Sequence, residues 1–415
     1  MTDLDTIQWN PQRPARHLNR GIPNHDAFGR LRVSTPTTIF DSKLSFGKNP
    51  YFWDEVLIGG ATATHVDVDS CVNMNVSNNG DVAIRQTFQR WNYQPGKSQL
   101  FLGTGVLPVV QGVTARLGPF HGSYTAPHTP HDGLYFESKD GIVSVNIIKG
   151  NETGGVVSLR SVPQSEWNID RLNGNGPSGY TVDWTKAQIF QIDYQWLGVG
   201  GVRFGIEVDS VMVYIHEFYN AGMVSDVYMS NGTQPVRYEI RSTGGAGRLK
   251  QICCTVASEG GLTRTGLSSV TDTDGTLISC PALTLEMLLA IRLTADNPDA
   301  QILIEKVYAL NTANTNFRWV LLWNPTIVGT PNWVTTSELA LQVWKNAGTA
   351  ITMTGGLALD SGYASRDARA TDGRLDPSLG LGVSIAGVPD VIALGIESIG
   401  GTSSCSGGIG FRQLV

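Results

Sequence analysis

The chain has 415 residues, 41% hydrophobic and only 16% charged, with 48 glycines and a formal net charge of −6. That length has room for two or more domains, and low charge with abundant glycine points to short β-strands joined by many turns. The acidic balance and the lack of any basic block exclude the electrostatic footprint of a nucleic-acid-binding protein.

Residues 1–24 carry Trp9, Pro11, Pro14 and Pro23 without periodicity and read as an extended arm. The N-terminal Met-Thr-Asp-Leu-Asp has neither a basic flank nor an apolar core, so no signal peptide is expected. Asp26–Ser34 leads into a first strand, followed by Thr37–Lys43. Further strands are expected at 64–77, 82–91 and 98–104, with a turn at Gln94–Lys97. His65, Asp67 and Asp69 alternate with Val66 and Val68, which reads as a solvated strand face.

Residues 118–133 hold three of the seven histidines. His121, His128, His131 and Asp132 suit zinc or nickel by ligand type, but their spacing fits no closed metal motif. An exposed inserted loop is the expectation, with no metal and no cofactor. Strands follow over 134–162, around a Lys139-Asp-Gly141 turn.

The stretch from Glu166 to Phe218 organises the first half. A Gly/Asn/Pro/Ser loop at 173–179 precedes three β-rich runs, Gln188–Leu197, Val202–Asp209 and Val211–Phe218. In the second, Arg203, Gly205, Glu207 and Asp209 alternate with Val202, Phe204, Ile206 and Val208. Strict alternation predicts a half-buried strand, and the short connections predict an antiparallel meander with one wet face.

An apolar strand at Leu249–Ser258 follows. Residues 263–281, rich in Thr, Ser, Asp and Gly, read as a linker or long loop. The expected organisation is an arm (1–24), a β-sandwich (25–262), the linker (263–281) and a second sandwich (282–415). Strands are expected at 290–293, 301–310, 317–325, 339–344, 357–364, 391–397 and 410–415, with a charged loop at 366–377. Leu379–Ile399 is broken by Pro389, Asp390 and glycines, so it reads as strands and no membrane partner is expected. The five cysteines form no CxxC pair and read as buried free thiols. Trp53, Trp91, Trp167, Trp184, Trp196, Trp319, Trp323 and Trp333 are candidates for core or subunit contacts.

The meander resembles concanavalin-like sandwiches, so the fold expectation is all-β, with antiparallel β-sandwich or jelly-roll domains, concanavalin-like in the first part. Some members of that class hydrolyse glycans, using two carboxylates about 5–5.5 Å apart for retention. Glu207 and Asp209 stand at i and i+2, but Val211 occupies the next position on that face. Asp193 and Glu217 join them only if neighbouring strands align. No nucleophile elbow, phosphate loop or His-Glu-x-x-His is present, so no catalytic residue is assigned and no enzyme is expected.

Several longer motifs carry a second resemblance. They are Asp26–Ser34 with Phe40-Asp-Ser-Lys43, Tyr93–Gln99, Glu166–Gly179, Tyr228-Met-Ser with Pro235–Ile240, Ser258–Gly261 and Asn324-Pro-Thr326. Together they resemble a family of virion structural proteins of tailed bacteriophages with relatives in large DNA viruses. The resemblance implies a decoration, fibre or tail-associated subunit, made in the host cytoplasm and located in the virion. Expected partners are other copies of the chain and other virion proteins. Trp9, Arg13, Arg16 and Arg20 of the arm are the interface candidates. The alternative is a lectin-like module on the virion that binds a host surface glycan; a polysaccharide depolymerase ranks last.

Overall fold

Period-two patterning becomes strand almost everywhere. The computed structural model describes residues 35–151, 155–261, 265–336, 339–365, 370–374 and 380–414. The arm, with Trp9, Arg13, Arg16 and Arg20, and the strand expected at Asp26–Ser34 lie outside the described residues. Among the described residues there is no α-helix, only single 3-10 turns at Asp67–Asp69 and Gln164–Glu166. The chain divides into two compact units, residues 1–263 and 264–415.

The first unit is a sandwich of two antiparallel sheets. One sheet runs, in spatial order, Val211–Phe218, Val202–Val208, Gln188–Tyr194, Gln99–Val106, Gly247–Ser258, Cys71–Val76 and Thr62–Val66, with Thr37–Lys43 also paired to Gly247–Ser258. The other runs Val156–Pro163, Ile142–Gly150, Pro130–Lys139, Val113–Gly122, Val236–Ser242, Val82–Thr87 and Trp53–Ile58. Phe101, Phe190, Ile192 and Phe204 from the first sheet meet Leu117, Phe136, Val145 and Tyr238 from the second in one core. The Phe136 ring lies 4.9 Å from Phe190 and 5.2 Å from Phe204, which ties the two sheets together at their centre. Burying each such ring contributes about 1.5–3 kcal/mol relative to leaving it in water. The meander expected from Gln188 to Phe218 is present. Its Asp209-Ser210 connection has φ of 50° and 66°, the left-handed pair that a two-residue hairpin turn requires.

The second unit is built from two further antiparallel sheets. In one, Ser403–Leu414 lies between Gly266–Asp272 and Ile302–Asn311 and also pairs with Ile278–Cys280; Ala370–Arg374 closes the far edge. In the other the order is Thr326–Val328, Thr352–Thr354, Leu285–Leu293, Ile392–Ile399, Asn316–Trp323 and Leu357–Ala364. Leu341–Lys345 adds to Leu285–Leu293 and carries the short Val334–Thr335. Leu285–Leu293 and Ile392–Ile399 both pack on Ser403–Leu414, so the two sheets face one another.

Four expectations are corrected. The stretch 263–281 is not a linker in its described part, because it contains the strands Gly266–Asp272 and Ile278–Cys280. Its Thr and Ser content suits a solvent-facing edge strand as well as a loop. The run at 64–77 is two strands, broken by the turn Asp67–Asp69 and the left-handed Ser70. The loop at 366–377 contains the strand Ala370–Arg374. Of the five thiols, Cys253 is exposed rather than buried. Trp53, Trp91, Trp167 and Trp319 are core residues, while Trp184, Trp196 and Trp333 are half-buried against the two cores.

Candidate functional site

The face of the meander expected to be wet is dry where its charges sit. Asp193, Arg203 and Glu217 lie side by side in register across three strands. Asp193 and Arg203 are buried. Arg203 Nη2 donates to Asp193 Oδ2 at 2.5 Å, Tyr214 donates to the same oxygen at 2.9 Å, and Ser98 Oγ donates to Oδ1 at 2.6 Å. Burial alone would lower the Arg203 pKa, but Asp193 holds it above the usual value. The strands therefore do align Asp193 with Glu217, but a guanidinium stands between them. Glu207 is half-buried opposite Met212, and Asp209 sits exposed in the hairpin turn. This face offers no carboxylate pair across an open cleft, which is the arrangement glycoside hydrolysis needs.

A larger ionic network covers the outward face of the other sheet. Glu239 lies between Arg237 and Arg241 on its own strand and opposite Arg116, which in turn lies opposite Glu137. Glu239 and Arg237 are buried. Arg237 donates twice to Glu239 Oε2, at 2.9 and 2.6 Å, and Arg241 Nε donates to Oε1 at 3.2 Å. Arg116 bridges Glu239 and Glu137, reaching Glu137 at 2.6 Å. Burial alone would push the Glu239 carboxyl up, but Arg241, Arg237 and Arg116 hold it far below the usual carboxylate range. A group so firmly ionised cannot serve as a general acid near neutral pH. The Arg-x-Glu-x-Arg alternation at 237–241 was the sequence signal for this network.

The histidine-rich stretch is part of the fold rather than an exposed insertion. Residues 118–122 and 130–133 belong to the paired strands Val113–Gly122 and Pro130–Lys139, and only the turn between them leaves the sheet. Gly133 has φ +133° and lies so close to Phe120 that a Cβ would fall 2.4 Å from the Phe120 Cα. The turn folds over the ionic network: His128 O accepts from Arg237 at 2.6 Å and from Arg241 at 2.7 Å, and Pro127 O accepts from Arg241 at 2.8 Å. Buried Asp132 accepts from the backbone N–H groups of Ser230 (2.8 Å), Asn231 (3.2 Å) and Gly150 (3.3 Å), and from Gln234 Nε2 (2.8 Å). With its amide nitrogen on Asp132, Gln234 turns its oxygen to His121 Nδ1 at 2.9 Å, and Arg90 Nη1 approaches the same nitrogen at 3.3 Å. Burial, with Arg90 nearby, holds the His121 pKa well below its usual value, so this ring is neutral at pH 7. His131 packs edge-on to His121 at 5.4 Å, and His128 Nδ1 bonds Ser123 O. These four side chains take separate structural positions. Among the described residues no group of three or more His, Cys, Asp or Glu is gathered to hold a metal ion.

One surface feature was missed in the sequence. The connection between Thr37–Lys43 and Trp53–Ile58 displays Phe46 (93% exposed), Tyr51 (54%) and Phe52 (54%). The connection is held from beneath. Leu44 is buried, Lys48 pairs with Glu55 at 2.8 Å, Arg85 donates to Lys48 O, and His65 Nε2 bonds Leu44 O at 2.6 Å. Three aromatic side chains are thus presented on a braced loop. The turn residues Gly47, Lys48, Asn49 and Pro50 between flanking aromatics were the available signal.

His216 gives this unit a pH dependence. Its Nδ1 accepts from the Asn168 backbone N–H at 3.2 Å, and burial, aided by Arg160, lowers its pKa to about 4. Unfolded, the ring titrates near about 6.5. Its contribution to stability is present above that value and is lost as pH falls toward about 4. Denaturation midpoints of the wild type should therefore drop between pH 6.5 and 4.5, and His216→Gln should flatten that drop.

No protein-family model and no curated protein matches this chain. Solved structures similar to it include a β-glucanase from Bacillus licheniformis (9% identity, TM-score 0.34, covering 55% of this chain and all of that one). Another is a legume lectin-like domain from Entamoeba histolytica (10%, 0.34, 54% and 98%). A third is an endo-β-1,4-glucuronan lyase from Trichoderma reesei (13%, 0.33, 54% and 96%). Likeness of this size assigns neither ligand nor reaction; the all-β sandwich rests on the sheets described above.

Proposed function

We propose that the protein binds carbohydrate without transforming it, and that it does so as a displayed component of a virus particle. The observation that carries the binding reading is the braced aromatic loop. Phe46, Tyr51 and Phe52 present flat apolar faces, onto which the C–H faces of a sugar can stack. Binding without chemistry fits the carboxylates of both sandwich faces: Asp193, Glu137 and Glu239 are each committed to arginine. The virion reading rests on the motif resemblance set out in the sequence analysis.

A glycan array probed with the full chain tests the binding reading. Specific saccharides should be retained, and the double substitution Phe46→Ala/Tyr51→Ala should weaken at least one of them about tenfold, or about 1.4 kcal/mol. An array with no signal above background would end the reading.

A second surface favours protein partners. The edge strand Val156–Pro163 exposes Val156, Val157 and Leu159 in a row. An exposed apolar edge invites pairing with another copy, the usual route to a symmetric assembly. Light scattering should find an oligomer for the wild type and a smaller species for Leu159→Lys. Equal masses would remove this edge as the contact.

A further inference from the structure

The second unit contains a cleft of about 600 Å³, within the range of roughly 300–1,000 Å³ typical of small-ligand sites. One wall is the strand Gly266–Asp272 and the turn after it. The other is formed by Val334–Thr335 and Leu341–Lys345 with their flanking residues.

The chemistry of the walls narrows the ligand. Ser269, Thr276, Asn332, Thr335 and Thr336 offer hydroxyl and amide groups. Thr336 Oγ1 already donates to Leu341 O at 2.8 Å, so its oxygen is oriented and left to accept. The charges are committed. Lys345 Nζ donates to both oxygens of Asp274, at 2.8 and 2.7 Å, and Tyr308 donates to Asp272 Oδ2 at 3.1 Å. Among the described lining residues, an anionic ligand would meet two carboxylates, a single, already paired, ammonium and no arginine. A divalent cation would have to compete with that ammonium for Asp274. Between the polar groups, Val270, Val334 and Val343 supply apolar surface. A neutral molecule with hydroxyls on its rim and C–H groups on its faces matches both halves of this lining.

We propose that this cleft is a saccharide-binding site of the second unit, distinct from the aromatic loop of the first. The proposal rests on the carbohydrate reading above and adds a second point of attachment. Two sites on one chain raise avidity toward a repeating glycan without any new contact, provided both can engage together.

The test uses the full chain on an array of neutral hexose oligosaccharides, followed by calorimetry with each saccharide retained. Thr335 and Asn332 are exposed, so Thr335→Trp, which fills the cleft, and Asn332→Ala, which only trims it, both leave the core intact. Thr335→Trp should weaken at least one retained saccharide about tenfold, with Asn332→Ala weakening the same one less. The Phe46→Ala/Tyr51→Ala variant should leave that saccharide's affinity unchanged. Unchanged affinity of Thr335→Trp for every retained saccharide would overturn the cleft and leave the aromatic-loop reading standing. A wild type that retains no saccharide would overturn both.

Discussion

Glu239→Ala should destabilise the first unit by about 3–5 kcal/mol, the range for removing one partner of a buried ion pair. The loss comes from what remains. Arg237 is buried, and its bonds to Glu239 leave it only Gln86 Oε1 at 3.0 Å and His128 O. Arg116 keeps Glu137 as its one carboxylate, beside the Tyr135 ring. Glu239→Gln preserves the shape but not the charge and should fall between wild type and alanine. The pH dependence separates this from simple packing. The folded-state pKa of Glu239 is depressed, so its contribution is full above the unfolded value of about 4.3 and is lost as pH falls through the folded one. Denaturant titrations stepped downward from pH 6 should show the gap between wild type and Glu239→Ala narrowing in acid. A gap that stays constant would mean that the charge of Glu239 contributes nothing.

Asp132→Ala should be nearly as damaging, at about 3 kcal/mol or more. It strands the N–H of buried Gly150, which costs about 1–3 kcal/mol without an acceptor, and takes away the carboxylate that ties down the Ser230 and Asn231 backbone. It also removes one of the two acceptors of Gln234 Nε2, leaving Asn231 O at 2.7 Å to hold the amide that bonds His121. His128→Ala should cost far less, because the contacts that matter there are made by its backbone carbonyl. A metal site would reverse this expectation: the histidine substitutions would then be costly, and dialysis against a chelator would lower the melting temperature of the wild type. Midpoints for Asp132→Ala, His128→Ala and chelator-treated wild type decide between the two.

Strand positions were legible where alternation sorted apolar from polar, as at Val202–Val208, whose Phe204 and Ile206 enter the core as expected. The same alternation gave the wrong surroundings for Arg203. A charge on a strand face looks alike whether it meets water or a carboxylate on the next strand, and Asp193 becomes its neighbour only through pairing. Residues 266–272 were opaque for a related reason. Their partner is Ser403–Leu414, far along the chain, and no local preference announces such a pairing. The histidine stretch misled through composition, since Gly and Pro mark loops in general but here let two strands approach closely at Gly133. The aromatic loop was overlooked because exposed aromatics and core aromatics read identically until burial is known.

The strand Ser403–Leu414 holds three others in its sheet, and Thr255 Oγ1 reaches Phe40 O across 215 residues of sequence. Neither unit can therefore assemble from neighbouring hairpins alone. Loop-closure entropy has to be met before these distant pairings return any stabilisation, which places folding in the slow regime of milliseconds to seconds common to all-β chains. While Gly266–Asp272 and Ile302–Asn311 wait for their shared partner, both offer open backbone edges to other molecules. Refolding yield should thus fall steeply with protein concentration, and a peptide copying residues 403–414 should capture the waiting edges and slow the formation of native chain.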